Sequence, residues 1–122
     1  MKKLILCDID GTMVIKNSIS KKNKETVKRL QEKGHFVTLA TGRHYKRAME
    51  VIDELNIDLP MISSNGAVIY DPKSDKIIKT HLIDQTSLKL CMDICKKENL
   101  EYILYTEDTM KASKKAIDKL HE

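Results

Sequence analysis

Aromatic side chains are scarce in this sequence of 122 residues, which contains no Trp, one Phe and four Tyr. Proteins that bind nucleic acid commonly stack bases on aromatic rings beside a strongly basic surface. The net charge is only +4, from 22 basic and 18 acidic residues, and the basic residues form no long run. The composition therefore predicts that nucleic acid is not a partner, although the excess of positive charge in the first half suits an anionic small molecule.

Long apolar runs are also absent, since no stretch approaches the roughly 20 residues that span a bilayer. The amino terminus is basic, but Asp8 and Asp10 interrupt the apolar residues that follow too early for a signal peptide. Cys7, Cys91 and Cys95 show no disulfide or metal spacing, so we expect them to be small buried apolar side chains. These features predict a cytoplasmic protein without a membrane partner.

Extended and helical patterns alternate along the first 63 residues. An apolar run predicts an opening strand over residues 3–9 that is buried on both faces, as in a parallel sheet. Ser20 can cap a helix that runs to about Lys33, with Gly34 as its stop. There follow a strand over 36–40, a helix with apolar residues at 45, 48, 49, 52 and 55, and a strand over 60–63. The order βαβαβ predicts an α/β fold with a doubly wound, Rossmann-like parallel sheet.

The second half of the chain has a different pattern. Apolar segments at 67–70 and 76–79 flank a polar turn and predict a β-hairpin. Asp84 can cap a helix through about Glu98 whose inward residues are Leu88, Cys91, Met92 and Cys95. We expect a strand over residues 101–106 and a short lysine-rich helix over residues 110–121.

Two carboxylates, Asp8 and Asp10, directly follow the opening strand, at the edge where open parallel sheets bind ligands. They need a positive partner, and Mg²⁺ accepts one or two protein carboxylates together with water and substrate phosphate. With the metal screening the phosphate, Asp8 can attack phosphorus to form an aspartyl-phosphate. Asp10 can then protonate the leaving alcohol and later activate water, while Gly11 allows a sharp turn. The alternative is that these residues only cap or turn the chain after the strand.

The second strand ends in Thr41-Gly42-Arg43, next to the end of the first strand. Thr41 offers a hydroxyl group, and Thr41 and Gly42 together offer N–H groups near a helix N-terminus, which is a favourable place for an anion. Arg43 is suited to phosphate or sugar oxygens because its guanidinium group is always charged. An ordinary strand-to-helix turn is the alternative interpretation.

Three segments resemble, in order and spacing, the motifs of haloacid dehalogenase superfamily phosphatases, and most of all the Cof-type branch with its inserted α/β cap. They are Asp-Ile-Asp-Gly-Thr at 8–12, Ala-Thr-Gly-Arg at 40–43 and Ser-Ser-Asn-Gly-Ala at 63–67. The resemblance implies that residues 1–80 are the N-terminal half of the core and residues 81–122 part of the cap subdomain. It also implies an enzyme that hydrolyses a small phosphorylated metabolite, for which we favour a sugar phosphate.

The same resemblance implies a role for each matching residue. Asp8 corresponds to the nucleophile and Asp10 to the general acid/base, and Mg²⁺ would take the carboxylate of Asp8 and the backbone carbonyl of Asp10. The positions that correspond to phosphate binding are Ile9, Thr41 and Gly42. Arg43 and Asn65 are expected to face the substrate, although Asn65-Gly66 also has the composition of a plain tight turn.

The sequence departs from the family pattern in its later motifs. The family uses a Lys that pairs with the nucleophile and a Gly-Asp-containing acidic motif that completes the metal site, and this sequence contains no Gly-Asp dipeptide. Glu107 and Asp108 would replace the missing ligands only if residues 101–108 formed a fourth strand of the core. The alternative function is therefore a truncated, catalytically inactive fragment or remnant.

The opening strand also predicts an interaction. Without strands on its other side, the apolar residues Leu4, Ile5, Leu6 and Cys7 would form an exposed edge, which favours pairing or aggregation. We therefore expect a homo-oligomer, an exchange of elements, or pairing with another chain through this edge.

Overall fold

The computed structural model of the chain describes residues 1–107 and 109–113. Two compact units, Met1–Thr80 and His81–Glu122, make up the chain. The helices and strands of the first unit are β1 (Leu4–Cys7), β2 (Val14–Ile15), β3 (Ser18–Ile19), α1 (Lys21–Glu32), β4 (Phe36–Leu39), α2 (Met49–Glu54), β5 (Met61–Ser63), β6 (Val68–Asp71) and β7 (Lys76–Thr80). Those of the second are α3 (Gln85–Lys97), β8 (Ile103–Tyr105) and β9 (Met110–Ala112). The interpretation of the units as half of a core and part of a cap stays a prediction.

Three strands of the first unit run side by side. β1 and β4 are parallel, with Ile5 opposite Val37. β5 lies beside β4, which it contacts through a parallel bridge between Ala40 and Ile62. Because α1 connects β1 to β4 and α2 connects β4 to β5, the predicted α/β fold with a partial, Rossmann-like parallel sheet is confirmed.

The first helix begins and ends where the sequence predicts. Ser20 caps α1, since its Oγ accepts a hydrogen bond from the Asn23 N–H at 3.1 Å. At the other end, Gly34 adopts a φ of +77° and donates its N–H to the Gln31 carbonyl at 2.8 Å. Val27 is the buried residue of the helix.

The segment after β4 is less regular than the periodicity suggests. Its first turn, Tyr45–Arg47, is a 3₁₀ helix, and α2 follows as a short α-helix. The imidazole of His44 accepts a hydrogen bond from the Lys46 N–H at 3.3 Å and so begins the 3₁₀ turn. The predicted apolar stripe is nevertheless inside: its buried members are Tyr45, Ala48, Ile52 and Leu55.

β1 is only half covered, which corrects the prediction of a strand buried on both faces. Ile5 and Cys7 pack against the core, whereas Leu4 and Leu6 are 64% and 50% exposed. Phe36 of β4, opposite Leu4, is 46% exposed. In the described part of the chain, β4 is the strand that pairs with β1, and the other edge of β1 pairs with none. The exposed apolar edge is thus present, while the association that we expect from it stays a prediction.

The hairpin and the third helix form as predicted. β6 pairs with β5 and with β7 in antiparallel fashion. Asp84 caps α3 by accepting a hydrogen bond from the Ser87 N–H at 3.0 Å. The prediction that the cysteines are buried is wrong: Cys91 is exposed, and Cys7 and Cys95 are only partly buried. None of the described residues of α3 is fully buried. No helix in residues 1–107 and 109–113 is long and apolar enough to cross a membrane.

The predicted helix over residues 110–121 is wrong at its start. Met110–Ala112 is the strand β9, which pairs with β8 in a two-stranded antiparallel ribbon. Backbone pairing with a neighbouring strand therefore overrides a helical pattern in the sequence. Within the described residues β8 pairs with β9 and with no strand of the parallel sheet, so Glu107 does not follow a strand of that sheet. Asp108 and residues 114–122 lie outside the described residues.

Candidate active site

The ends of β1 and β4 meet at one edge of the sheet. The Ala40 N–H donates to the Cys7 carbonyl at 2.9 Å, so Asp8 and Thr41 follow directly on two hydrogen-bonded residues. On the other side, the Thr41 N–H donates to the Ile62 carbonyl at 3.0 Å. The three motifs predicted to form the site therefore begin at the same edge of the sheet, which is where open parallel sheets bind ligands.

The loop after β1 is anchored by Ile9. The side chain of Ile9 is fully buried, and its carbonyl accepts hydrogen bonds from Met13 and Val14 at 3.0 and 2.8 Å. Gly11 adopts a φ of +77°, which the tight turn requires and which L-residues with a side chain rarely adopt. The carboxylates on either side of this anchor, Asp8 and Asp10, are exposed to solvent.

The carboxylate of Asp8 folds back onto its own loop. Asp8 Oδ1 accepts a hydrogen bond from the Ile9 N–H at 2.8 Å. This contact orients the predicted nucleophile and leaves Oδ2 as the oxygen available to a metal or to phosphorus. It also means that the Ile9 N–H, predicted to bind phosphate, already has an acceptor in this state.

Asp10 and Arg43 form a bidentate ion pair. Arg43 Nε donates to Asp10 Oδ2 at 2.8 Å, and Arg43 Nη2 donates to Asp10 Oδ1 at 2.5 Å. The hydrogen bonds from Arg43, together with its charge, lower the pKa of the Asp10 carboxyl. The sequence placed both residues at the site but assigned Arg43 to the substrate, and did not predict that it holds Asp10.

Thr41 fixes the backbone that carries Arg43. The Thr41 hydroxyl is buried and accepts a hydrogen bond from the Arg43 N–H at 3.1 Å. Its own O–H proton can still be donated to an anion, since a hydroxyl is both an acceptor and a donor. The Ser64 N–H donates to the Arg43 carbonyl at 2.9 Å, so both peptide groups of Arg43 are held.

The third motif packs against the second. Ser64 and Asn65 have φ values of +50° and +55°, a region that Asn tolerates better than most residues. The Asn65 N–H donates to the Thr41 carbonyl at 3.2 Å. Asn65 lies so close to Gly42 that a β-carbon at position 42 would be 2.9 Å from Asn65 Oδ1. Gly42 therefore leaves room for the Asn65 side chain, which would have to turn away from any larger residue at position 42.

Several residues around the site were not predicted. Glu50 acts electrostatically on Arg43, as the predicted nucleophile Asp8 also does, and Arg47 acts on Asp10. Behind them, the buried ring of Tyr45 stacks on His44 at 4.5 Å and on Tyr70 at 4.3 Å between ring centroids. The sequence signal was the run of charged and aromatic residues just after the Thr-Gly-Arg motif, which the apolar stripe of the predicted helix obscured.

The residues at this site provide some, but not all, of the ligands that Mg²⁺ requires. The carboxylates after β1 are hard oxygen donors, and Mg²⁺ is commonly bound through one or two carboxylates with phosphate and water as further ligands. Both side-chain oxygens of Asp10 are engaged by Arg43, which leaves Asp8 Oδ2 as the available carboxylate oxygen. Within the described residues there is no group of three His, Cys, Asp or Glu side chains that could hold a metal ion.

Comparison with known proteins decides the family. The sequence profile of the haloacid dehalogenase-like hydrolases matches residues 5–122. The chain belongs to the haloacid dehalogenase-like hydrolase family. The resemblance drawn from the three motifs is thereby confirmed.

Individual relatives of this haloacid dehalogenase-like chain are phosphatases by name. It is 35% identical over 120 residues to a 5-amino-6-(5-phospho-D-ribitylamino)uracil phosphatase of Bacillus subtilis, matching 98% of this chain and 41% of that protein. It is 32% identical over 105 residues to a second B. subtilis phosphatase, matching 85% of this chain and 36% of the relative. The chain thus spans about two fifths of the length of these relatives.

Solved structures of the family give the same result. The subclass IIB sugar phosphatase BT4131 superposes with a TM-score of 0.82 at 26% identity, over 99% of this chain and 48% of that one. A haloacid dehalogenase-like hydrolase from B. subtilis superposes with a TM-score of 0.81 at 28% identity, over 98% of this chain and 42% of that one. The fold described above is therefore a partial haloacid dehalogenase core.

Proposed function

We propose that this chain carries the nucleophile side of a Mg²⁺-dependent phosphatase that hydrolyses a small phosphorylated metabolite through an aspartyl-phosphate on Asp8. The observation that carries the proposal is the junction of the β1 and β4 ends, where the Asp10–Arg43 pair joins the two loops. Membership of the family and the names of the relatives support the reaction class.

Asp8 is the proposed nucleophile. One oxygen of its carboxylate attacks the phosphorus atom, the bond from phosphorus to the substrate oxygen breaks, and the phosphoryl group is transferred to Asp8. The hydrogen bond from the Ile9 N–H to Oδ1 orients the carboxylate so that Oδ2 can react. The adjacent Cys7 does not compete, because burial raises the pKa of its thiol and so disfavours the thiolate.

Asp10 is the proposed general acid/base. In its protonated form it gives a proton to the leaving alkoxide, and as a carboxylate it then removes a proton from the water that attacks the aspartyl-phosphate. Release of inorganic phosphate restores the free Asp8 carboxylate. The hydrogen bonds from Arg43 lower the pKa of Asp10 and therefore favour its basic form, so its role as an acid requires that Arg43 move away from it.

Mg²⁺, when bound beside the Asp8 carboxylate and the Asp10 carbonyl, would supply positive charge that screens the phosphate from the carboxylates. The chain's own contributions to phosphate binding are the Thr41 hydroxyl, the backbone at Ile9 and Gly42, and Arg43. Arg43 and Asn65 are the proposed contacts to the rest of the substrate. A sugar phosphate is the substrate class that we favour, and similarity to a protein described as a sugar phosphatase supports it.

The competing function is an inactive fragment that retains the loop of Asp8 without turning over. The absence of a Gly-Asp dipeptide from the sequence is the observation in its favour. It predicts that phosphate or Mg²⁺ can still bind while no phosphoester is cleaved.

Hydrolysis of p-nitrophenyl phosphate by the full chain, with and without Mg²⁺, distinguishes the two functions. We expect release of p-nitrophenol that depends on Mg²⁺ and is abolished by Asp8→Asn, which keeps the shape of the side chain but removes its nucleophilic charge. An inert wild-type chain would contradict the catalytic proposal and leave the fragment as the explanation.

A further inference from the structure

Arg43 uses all three of its guanidinium nitrogens within the resting protein. Nε and Nη2 bind the two oxygens of Asp10, and Nη1 donates to the Arg47 carbonyl at 3.3 Å. A planar guanidinium group binds phosphate with the same fork that it uses for a carboxylate. Asp10 therefore occupies the same Nε and Nη2 donors of Arg43 that would bind an incoming phosphate.

The backbone of Arg43 cannot easily move, but its side chain can. The N–H of Arg43 is held by the Thr41 hydroxyl and its carbonyl by the Ser64 N–H. The Asp10 side chain is 62% exposed and that of Arg43 is 28% exposed, so water can replace either partner. Ion pairs at this exposure contribute little net stability, which makes exchange of partners inexpensive.

The charges around the pair disfavour anion binding while the pair is closed. Asp8, Asp10 and Glu50 act on Arg43, and Arg47 acts on Asp10. Asp10 is thus not the only carboxylate that acts on Arg43, since Asp8 and Glu50 act on it as well. With Arg43 engaged by Asp10, less of its positive charge is available to a phosphate.

We propose that the Asp10–Arg43 pair is a latch that phosphate opens: the phosphoryl oxygens take the guanidinium fork of Arg43, and Asp10 is released toward the bound group. Phosphate then binds only the fraction of molecules in which Arg43 is free, so the closed pair lowers its apparent affinity. The inference rests on the proposed function for what the released Asp10 does next. In this proposal, Arg43 couples the binding of phosphate to the release of Asp10.

Inorganic phosphate in metal-free buffer tests the latch without catalysis. Binding is followed by NMR on the full chain, through backbone amides and the Arg43 Nε–H resonance. We expect Asp10→Asn to bind phosphate up to about fivefold more tightly than the wild type, which is the most that an exposed ion pair of small net stability can hold back. We also expect the Arg43 Nε–H resonance of the wild type to shift as phosphate is added.

Two further variants separate the latch from simple charge repulsion. Glu50→Gln removes one nearby negative charge but no hydrogen bond to Arg43, and it should change phosphate affinity by less than about twofold, as expected for screened surface charges. In an Arg43→Gln background, Asp10→Asn should give almost no gain. Arg43→Lys, which keeps the charge but loses the fork, serves as the second background if Arg43→Gln does not fold.

The latch is overturned by any of three results: an Asp10→Asn gain that persists without Arg43, an equal gain in Glu50→Gln, or an Arg43 resonance that phosphate does not move. These readouts require no turnover. Failure of the latch and failure of the proposed function can therefore be told apart. The phosphate-binding measurements test the latch, and hydrolysis of p-nitrophenyl phosphate tests the function.

Discussion

Gly42 lies directly against the side chain of Asn65, where two loops of the site meet. A β-carbon built on Gly42 would lie 2.9 Å from Asn65 Oδ1, well inside ordinary contact distance. The relationship explains why a glycine stands between the Thr41 hydroxyl and Arg43. It also ties the Thr-Gly-Arg loop to the Ser64–Gly66 turn after β5, where the Asn65 N–H bonds the Thr41 carbonyl.

Replacing Gly42 with Ala should destabilise the first unit by no more than about 1 kcal/mol, because the added methyl group collides with the end of the exposed Asn65 side chain, which can turn away. Urea unfolding followed by circular dichroism measures the change. The matched control is Asn65→Gly, which tolerates the φ of +55° and removes the colliding amide. If Gly42→Ala costs as much in the Asn65→Gly background as in the wild type, the proposed contact is wrong.

Asp84 should make the third helix sensitive to acid. Hydrogen bonds from the Ser87 side chain and backbone lower the pKa of Asp84 from its ordinary value of 3.8. A lowered pKa in the folded state means that the cap contributes its full stability above pH 3.8 and loses it as the pH falls through the lowered value. The Ser87 amide resonance, which reports the cap directly, should therefore titrate with a midpoint below 3.8.

The control for this titration is Asp84→Asn, which can still cap a helix but does not ionise. Its Ser87 amide should lose the acid transition. A midpoint above 3.8 in the wild type, or an unchanged transition in the Asn variant, would show that the cap is not the group responsible.

The exposed edge of β1 should drive association. Leu4 is 64% exposed on a strand whose other edge pairs with nothing in the described residues. We expect sedimentation velocity of the purified chain to show species larger than a monomer that grow with concentration. A lysine at an edge strand opposes pairing, so Leu4→Lys should shift the distribution toward monomer.

Leu82→Lys is a fair comparison, because Leu82 is 61% exposed but lies outside β1. It should leave the sedimentation profile unchanged. A wild-type chain that stays a compact monomer at every concentration would refute the expected association.

Local patterns in the sequence predicted where the two acidic residues and the first helix lie, while their roles stay a prediction. Asp8 and Asp10 directly follow an apolar strand, and Ser20 and Gly34 bound a helix, so near neighbours alone determine these features. The sequence did not predict contacts between residues that are far apart along the chain. The partner of Arg43 lies 33 residues away, and the contact of Gly42 with Asn65 depends on how β4 and β5 align.

The helix predicted from residue 110 shows the same limit. Met110, Lys111 and Ala112 are acceptable in a helix, yet pairing with β8 makes them a strand. The exposure of one face of β1 could not be predicted either, because an apolar run does not show whether both faces of its strand are buried.

Identifying the residue that receives the phosphoryl group tests the proposed mechanism most directly. The full chain is mixed with p-nitrophenyl phosphate and Mg²⁺, quenched in acid, digested and examined by mass spectrometry. We expect a phosphoryl group on the peptide that contains Asp8. It should be absent in Asp8→Asn and more abundant in Asp10→Asn, because loss of the general base slows hydrolysis of the intermediate. An unmodified Asp8 peptide during turnover, or a phosphoryl group on another residue, would contradict the proposed mechanism.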